Sequence, residues 1–381
     1  MSEYQYYEFL ALDRPLTDKQ RAELRSLSTR AEITATRFVN EYHWGDLKGD
    51  PGKMMERYFD AFLYLANWGT RHLMFRLPRG VLDEQTADLY CYTDAASLLE
   101  TNDHLIVSLY ADRDPDEYWD ETHGELAAMV QARSELAAGD LRLLYLGWLL
   151  AVQSDDVDDE DTEPPVPAGL GDLVASLEAI VDFLEIEKDL IAVAAEASLP
   201  LEEPGNDGLA DWVASLPAAE KDTLLLTMVA AGDGAQVQAL LLRRFRGNTA
   251  VPAGRSGSPR TPAQLRAAAE ARAAERKQAE EQRRREEQAR KAAARAAAHA
   301  KRLDDLAAQG EAPWKQIDEM IATKKTSEYD VAVKLLRDLR ALAKRQGEEA
   351  AFAKRVLDIR ARYPGRPGLQ SRFDEAGLPR Q

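Results

Sequence analysis

From Tyr4 to Ala111 the chain alternates short apolar, aromatic-rich runs with turn-forming residues, the pattern of half-buried strands. Strands are predicted at Tyr4 to Leu12, Arg37 to Trp44, Ala61 to Asn67, His72 to Leu77, Ala96 to Thr101 and His104 to Ala111. The last two meet across Asn102-Asp103 as a tight hairpin. Thr17-x-x-Gln20 has the spacing of a capping box, in which two side chains satisfy free backbone donors at a helix start, so a helix is expected over 18 to 29. Helices at Tyr118 to Ala137 and Leu141 to Ser154 would close an α+β domain over residues 1–153, with an antiparallel or mixed sheet. Of the 28 aromatic residues, 20 lie in the first 150, as a pleated core requires.

The pattern then changes. Seven of the nine residues from Asp155 to Glu163 are acidic, and Pro164, Pro165 and Pro167 follow, which reads as a solvated linker over 154–168. Leu170, Leu173, Val174, Leu177, Ile180, Val181 and Leu184 recur at three- and four-residue spacing, opening a small all-α domain over 169–246. Further helices are predicted at Lys188 to Ala197, Asp207 to Leu216, Ala218 to Ala231 behind Pro217, and Gly234 to Phe245 capped by Asp233. The Gly-, Ser- and Pro-rich stretch 247–262 reads as a flexible joint.

Residues 263–309 carry no Gly, no Pro and almost no large apolar residue. Ala, Arg, Lys, Glu and Gln all favour the helix, and Glu280, Glu281, Glu286 and Glu287 each stand four residues before a cation. One long exposed helix follows. Between Leu265 and Leu303 nothing larger than Ala is available for an apolar seam, so a coiled coil is disfavoured and a monomer through this segment expected. From Arg290 to Arg302 there are five cations and no acid.

After Gly310 amphipathic spacing returns, with helices around Trp314 to Ile321, Glu328 to Gln346, Phe352 to Tyr363 and Leu369 to Phe373, and Gly347 as a stop. Ser327-x-x-Asp330 offers a cap for the second. A C-terminal helical docking module over 310–381 is the reading.

Charge sharpens this division. The formal net charge is −17, yet residues 1–250 hold 20 of 49 basic and 47 of 66 acidic side chains, a balance of −27 against +10 for the rest. Polyanion affinity depends on local basic surface, so the acidic whole does not exclude it in the rear. The candidate polyanion-binding residues are Arg283, Arg284, Arg285, Arg290, Lys291, Arg295, Lys301 and Arg302. A single cysteine, Cys91, leaves no intramolecular disulfide and no cysteine-rich zinc site. The first ten residues lack the basic and apolar segments of a signal peptide, and the longest strongly apolar run, Leu143 to Val152, is about half a membrane span. A soluble cytoplasmic protein is expected, with no membrane contact.

Chemistry is sparse. Glu41, His43, Asp46 and Asp50 are the best metal or catalytic constellation, because imidazole and carboxylates on a turn can hold a divalent ion. Against that, Asp50-Pro51 has the form of an N-cap followed by proline at the first helical position. Asp156, Asp158 and Glu160 alternate as in a calcium loop, but Asp161 stands where Gly is required and Pro167 where Glu is required. There is no nucleophile elbow, phosphate loop or dinucleotide fingerprint, and the glycine cluster at 230–235 reads as a helix stop and restart. No catalytic residue, cofactor or metal is assigned. The aromatic residues suit core packing better than base stacking, since no basic residues are interleaved with them.

Two resemblances add context. The segments TSEYDVAVKLLRDLRALAKRQG and FAKRVLDIRARYPGRPGLQSRFDEAGL resemble the C-terminal helical tail of some bacterial proteins that carry a SWIM zinc finger. The finger itself is absent, because its Cys-x-Cys and Cys-x-His pairs have no counterpart here. The resemblance implies a shared docking module, in a system associated with nucleic acid. YQYYEFLALDRPLT, NEYHWGDLKGDP and FDAFLYLANWGT resemble an uncharacterised bacterial family, which implies no activity. The expectation is therefore a non-enzymatic adaptor or scaffold for protein partners. The alternatives are a nucleic-acid-binding accessory protein using the basic helix, and a metal-dependent enzyme centred on His43 and Asp46.

Overall fold

The computed structural model describes residues 3–113, 126–201, 209–231, 241, 245 and 259–380. The start of the helix expected from Tyr118, Asp233, nearly all of the helix expected over Gly234 to Phe245, and most of the joint at 247–262 lie outside the described residues. The chain divides into two compact units, Met1–Glu275 and Arg276–Gln381.

In the first unit seven strands form one antiparallel sheet: β1 (Gln5–Leu10), β2 (Glu32–Ile33), β3 (Arg37–Tyr42), β4 (Ala61–Ala66), β5 (Arg71–Pro78), β6 (Ala96–Glu100) and β7 (His104–Ala111), in the order β2-β3-β1-β4-β5-β7-β6. The two-residue period divides the apolar side chains between the faces. Phe9 pairs with Phe38 on one side and Phe62 on the other, and with Met74 and Ile106 they meet Leu24 of α1 (Asp18–Leu27) and Met54 and Met55 of α2 (Pro51–Arg57). On the opposite face Leu63, Leu73, Phe75, Val107 and Leu109 lie in the larger core, which takes in α4 (Leu126–Ala137), α5 (Arg142–Gln153), α6 (Ala175–Leu184) and α7 (Lys188–Ala195). Every residue of α5 from Arg142 to Val152 is buried, which explains the longest apolar run in the sequence. No helix among the described residues is long and apolar enough to cross a membrane.

Local signals set the boundaries. Thr17 and Gln20 form the capping box of α1, and Asp50 caps α2 with Pro51 in its first turn. Two short elements, β2 and α3 (Glu84–Asp88), had no sequence signal strong enough to register. Leu170 and Leu173 precede α6, whose N-cap is Val174, although their spacing fits its apolar stripe. The helices after residue 169 share the sheet's core: Leu170, Leu177, Ile180 and Leu190 belong to the same cluster as Leu63 and Phe75. The acidic stretch before them is pinned as well. Val157 and Val166 are buried, and Asp156 Oδ2 accepts a hydrogen bond from Ala95 N at 2.8 Å. Two short helices, α8 (Leu209–Ser215) and α9 (Ala218–Ala231), follow.

A buried ionic network fastens the sheet to α4. Asp60 accepts from Arg76 Nε at 3.1 Å and from the backbone N–H groups of Leu12 and Asp13 at 2.7 and 3.0 Å. Arg133 donates to Arg76 O at 2.6 Å and grips the Asp13 carboxylate with two bonds of 2.8 and 2.7 Å. Removing charges from water is costly, and this set repays it by satisfying both carboxylate oxygens of each aspartate.

Helix α10 runs without interruption over 47 residues, Pro262–Ala308, about 70 Å at 1.5 Å per residue. Leu265 and Ala269 near its start lie in the core of the first unit. Leu303 and Leu306 near its end lie in the core of the second, with Ile317 and Ile321 of α11 (Ala312–Ala322), Leu336 and Leu339 of α12 (Thr326–Gln346), Phe352, Val356 and Ile359 of α13 (Glu349–Arg362) and Phe373 of α14 (Pro367–Glu375). Gly347 ends α12 at φ 75°, a left-handed conformation that glycine adopts without steric cost. The N-cap of α12 is Lys325, so Ser327 sits inside the first turn and Asp330 instead accepts from Arg372 Nε at 2.6 Å.

Candidate functional site

The exposed part of α10 is the longest unbroken run of exposed residues among those described. Every residue from 274 to 302 is exposed. This span holds ten Lys or Arg and five Glu. Its two flanks are held by ion pairs. Arg266 bonds Val152 O at 2.9 Å and pairs with Asp155 at 3.0 Å and with Asp159, and Arg272 reaches Asp189 and Glu196 at 3.8 Å. At the other flank Arg302 pairs with the buried Asp338 at 2.5 Å, and Asp304 with Arg345 at 2.5 Å.

Between the flanks the pairing is partial. Of the four expected four-residue pairs, Glu281–Arg285 forms at 3.7 Å and Glu287–Lys291 at 2.6 Å. Glu280 instead meets Arg276 at 3.5 Å, and Glu286 accepts from Gln282 at 2.7 Å. Arg284 and Arg290 are thereby released. Among the described residues Lys277, Arg283, Arg284, Arg290, Arg295 and Lys301 have no ion-pair or hydrogen-bond partner on their side chains. At about 100° per residue these six fall within an arc of about 140°, and Lys291 lies inside it. Arg285 lies outside the arc, and the pairing of Arg302 with Asp338 holds that guanidinium to the second unit. Charge density alone does not single out Lys277, which stands outside the cation-rich stretch from Arg283 to Arg302. Its seven-residue spacing to Arg284 and Lys291 is the signal that finds it.

The turn carrying His43, Asp46 and Asp50 is used differently. Asp46 Oδ1 accepts from Tyr7 OH at 2.6 Å and from Leu47 N at 2.7 Å; Asp50 caps α2 through Lys53 N at 3.2 Å; the His43 ring packs on Tyr4, 5.5 Å between centroids. Gly45 O accepts from Gln5 Nε2 at 2.8 Å, which ties the turn to the sheet. Among the described residues no three His, Cys, Asp or Glu side chains come together in a way that could hold a metal ion. The carboxylates of the 155–163 segment point to separate tasks: Asp155 and Asp159 to Arg266, Asp156 to Ala95, and Glu163 to Arg260.

A second polar group lies on the sheet face that carries Phe9. Tyr64 donates to Gln5 Oε1 at 3.0 Å; Tyr7 OH, whose proton goes to Asp46, stands 2.9 Å from the same oxygen, and the two tyrosine rings are 4.6 Å apart. His72 Nε2 lies 2.7 Å from Ser108 Oγ, edge-on to Phe62 and Tyr110. Burial pushes the His72 pKa down to about 4 and that of Tyr64 up to about 12. Burial pushes Cys91 up to about 12, with Asp88 adding to it, so its thiol stays protonated and unreactive at neutral pH. Tyr7, Tyr64 and Gln5 brace one another, as do His72 and Ser108. Of the front aromatics, Tyr4, Tyr6, Tyr7, Phe9, Tyr90 and Trp148 are core residues. Trp44 is exposed, with the Arg30 guanidinium 4.7 Å from its ring centre. Comparison with known protein families, curated proteins and solved structures finds no match to this chain.

Proposed function

We propose that this chain is an adaptor, in which two separately cored units bring different protein partners onto one polypeptide through α10. The observation that carries the reading is the embedding of one continuous helix by its two ends: Leu265 and Ala269 in one core, Leu303 and Leu306 in another, with 274–302 exposed throughout. Burying a leucine contributes about 1.5 to 3 kcal/mol, so each end is anchored by packing as well as by ion pairs. An isolated helix of this length and composition holds its shape without a partner, which suits a tether. The first unit also offers exposed Leu225, Leu226 and Val229 on α9, a surface of the kind that protein partners cover.

The test is affinity capture with the full chain and with fragments 1–275 and 298–381. These bounds keep Leu265 and Ala269 with the first core and Leu303 and Leu306 with the second. The reading expects distinct proteins on the two fragments and both sets on the full chain. Fragments that each fold, as judged by circular dichroism, and retain nothing would sink it.

A further inference from the structure

We propose that the cationic arc of α10 is a docking face for the backbone of double-stranded DNA. Six cations without a side-chain partner among the described residues, Lys277, Arg283, Arg284, Arg290, Arg295 and Lys301, lie on one side of a continuous exposed helix and span about 36 Å along its axis. Arg284 follows Lys277, and Arg290 follows Arg283, at intervals of about 10 Å, so the charges form a linear array. A linear array of fixed cations is complementary to a stiff linear polyanion, and each phosphate neutralised releases counterions.

The remaining residues of the face narrow the partner. No Trp, Tyr, Phe, Leu or Ile occurs between 274 and 302, so there is no apolar edge to enter a lipid surface. The same absence removes the aromatic platform on which single strands stack and the buried anchor on which a protein interface depends. A bare helix about 10 to 12 Å across matches the roughly 12 Å major groove of B-form DNA, whereas the deep narrow groove of an RNA duplex excludes it. The face carries no Asn or Gln pair for adenine, and its Arg and Lys are assigned to phosphates, which carry no sequence information. The inference goes beyond the adaptor reading and does not depend on it.

Fluorescence anisotropy with the full chain and a labelled DNA duplex of about 24 base pairs tests it. If all six cations engage, affinity falls about 10³-fold between 50 and 200 mM salt. Replacing Arg283, Arg284, Arg290 and Arg295 together by Gln keeps helix propensity, and circular dichroism checks that the fold is kept. That variant should bind at least tenfold more weakly at 100 mM salt, with a shallower salt dependence. Glu280 and Glu287 lie within the arc and occupy Arg276 and Lys291, so E280Q/E287Q should bind severalfold more tightly. The proposal is overturned by no binding at 50 mM salt, by an unchanged salt slope in the quadruple variant, or by weaker binding in E280Q/E287Q. It is equally overturned if single-stranded DNA, an RNA duplex or phosphatidylserine vesicles bind as tightly as the DNA duplex.

Discussion

Arg260 and Glu163, 97 positions apart, form a two-point ion pair: Nε donates to Oε2 at 2.9 Å and Nη2 to Oε1 at 2.7 Å. The same guanidinium donates to Val193 O at 2.7 Å and Ala194 O at 3.1 Å, while Tyr145 OH adds a third bond to the carboxylate at 2.5 Å. Arg260, two residues before α10 begins, is thus joined to the acidic segment, to α5 and to the end of α7.

Substituting Glu163 by Gln leaves Arg260 half-buried without its counter-charge. Breaking a buried pair from one side costs about 3 kcal/mol or more, whereas removing both charges costs much less. Urea unfolding should show E163Q destabilised by that amount and E163Q/R260M recovering at least half. If E163Q shifts the midpoint by less than the error of the measurement, the pair is not what holds this end of the helix.

His72 sets a pH window. Its folded pKa of about 4 lies below the unfolded value of about 6.5, so between the two the unfolded chain binds a proton that the folded chain refuses. Stability therefore falls as pH drops from 6.5 to 4 and is no further affected by this group below that. The loss amounts to about 2 to 3 kcal/mol after allowance for its partial exposure. Denaturation midpoints measured across this range should decline in the native chain and decline less in H72N.

Asp60 acts in the next window down. Burial would raise its pKa, but Arg76, the Asp13 N–H and Arg133 outweigh it and hold the carboxyl below the usual range. A depressed carboxylate contributes stability above its unfolded pKa of about 3.9 and loses it as pH falls through the lower folded value. Acid unfolding below about pH 4 should therefore be steep in the native chain and shallow in D60N, which starts from a lower stability because Arg76 and Arg133 lose their charge partner.

The sequence made local relations readable and long-range ones opaque. Thr17 with Gln20, Asp50 with Pro51, and Gly347 each act within one turn, so spacing alone identified them, and the charge pattern located α10 to within one residue at each end. The segment 155–163 looked solvated because its countercharges, Arg260 and Arg266, lie about a hundred positions away. His43 and Asp46 suggested chemistry by proximity in sequence, but their partners are Tyr4 and Tyr7 across the sheet. In the candidate face, composition identified the cations, and only side-chain geometry separated Arg284 and Arg290, which are free, from Arg302, which is not.

Gly147 marks where α5 closes on the sheet. A Cβ there would stand 2.6 Å from Leu109 Cδ2 and 3.2 Å from Ala96 Cβ. Alanine gains about 1 kcal/mol of helix propensity, while overpacking costs about 1 to 3 kcal/mol. Because Leu109 and Ala96 are both buried in strands, the packing term wins, and G147A should be less stable by about 1 kcal/mol in thermal or urea unfolding. A more stable variant would show that the sheet can yield at this point.

The exposed span of α10 is held by propensity and by pairs four residues apart, because it has no core to pack on. Each Gly in place of an exposed Ala costs about 1 kcal/mol locally. Changing Ala289, Ala293 and Ala296 to Gly should therefore exceed what pairs such as Glu287–Lys291, at about 0.2 to 0.5 kcal/mol each, can offset. Hydrogen exchange is expected to quicken from about residue 284 to 300. Amides beside Leu265 and Leu303 should keep their protection, because those turns are held by tertiary packing. Unchanged exchange across the middle would mean that contacts other than helix propensity hold it. Loss of protection at both ends would mean that the two anchors depend on an intact helix between them.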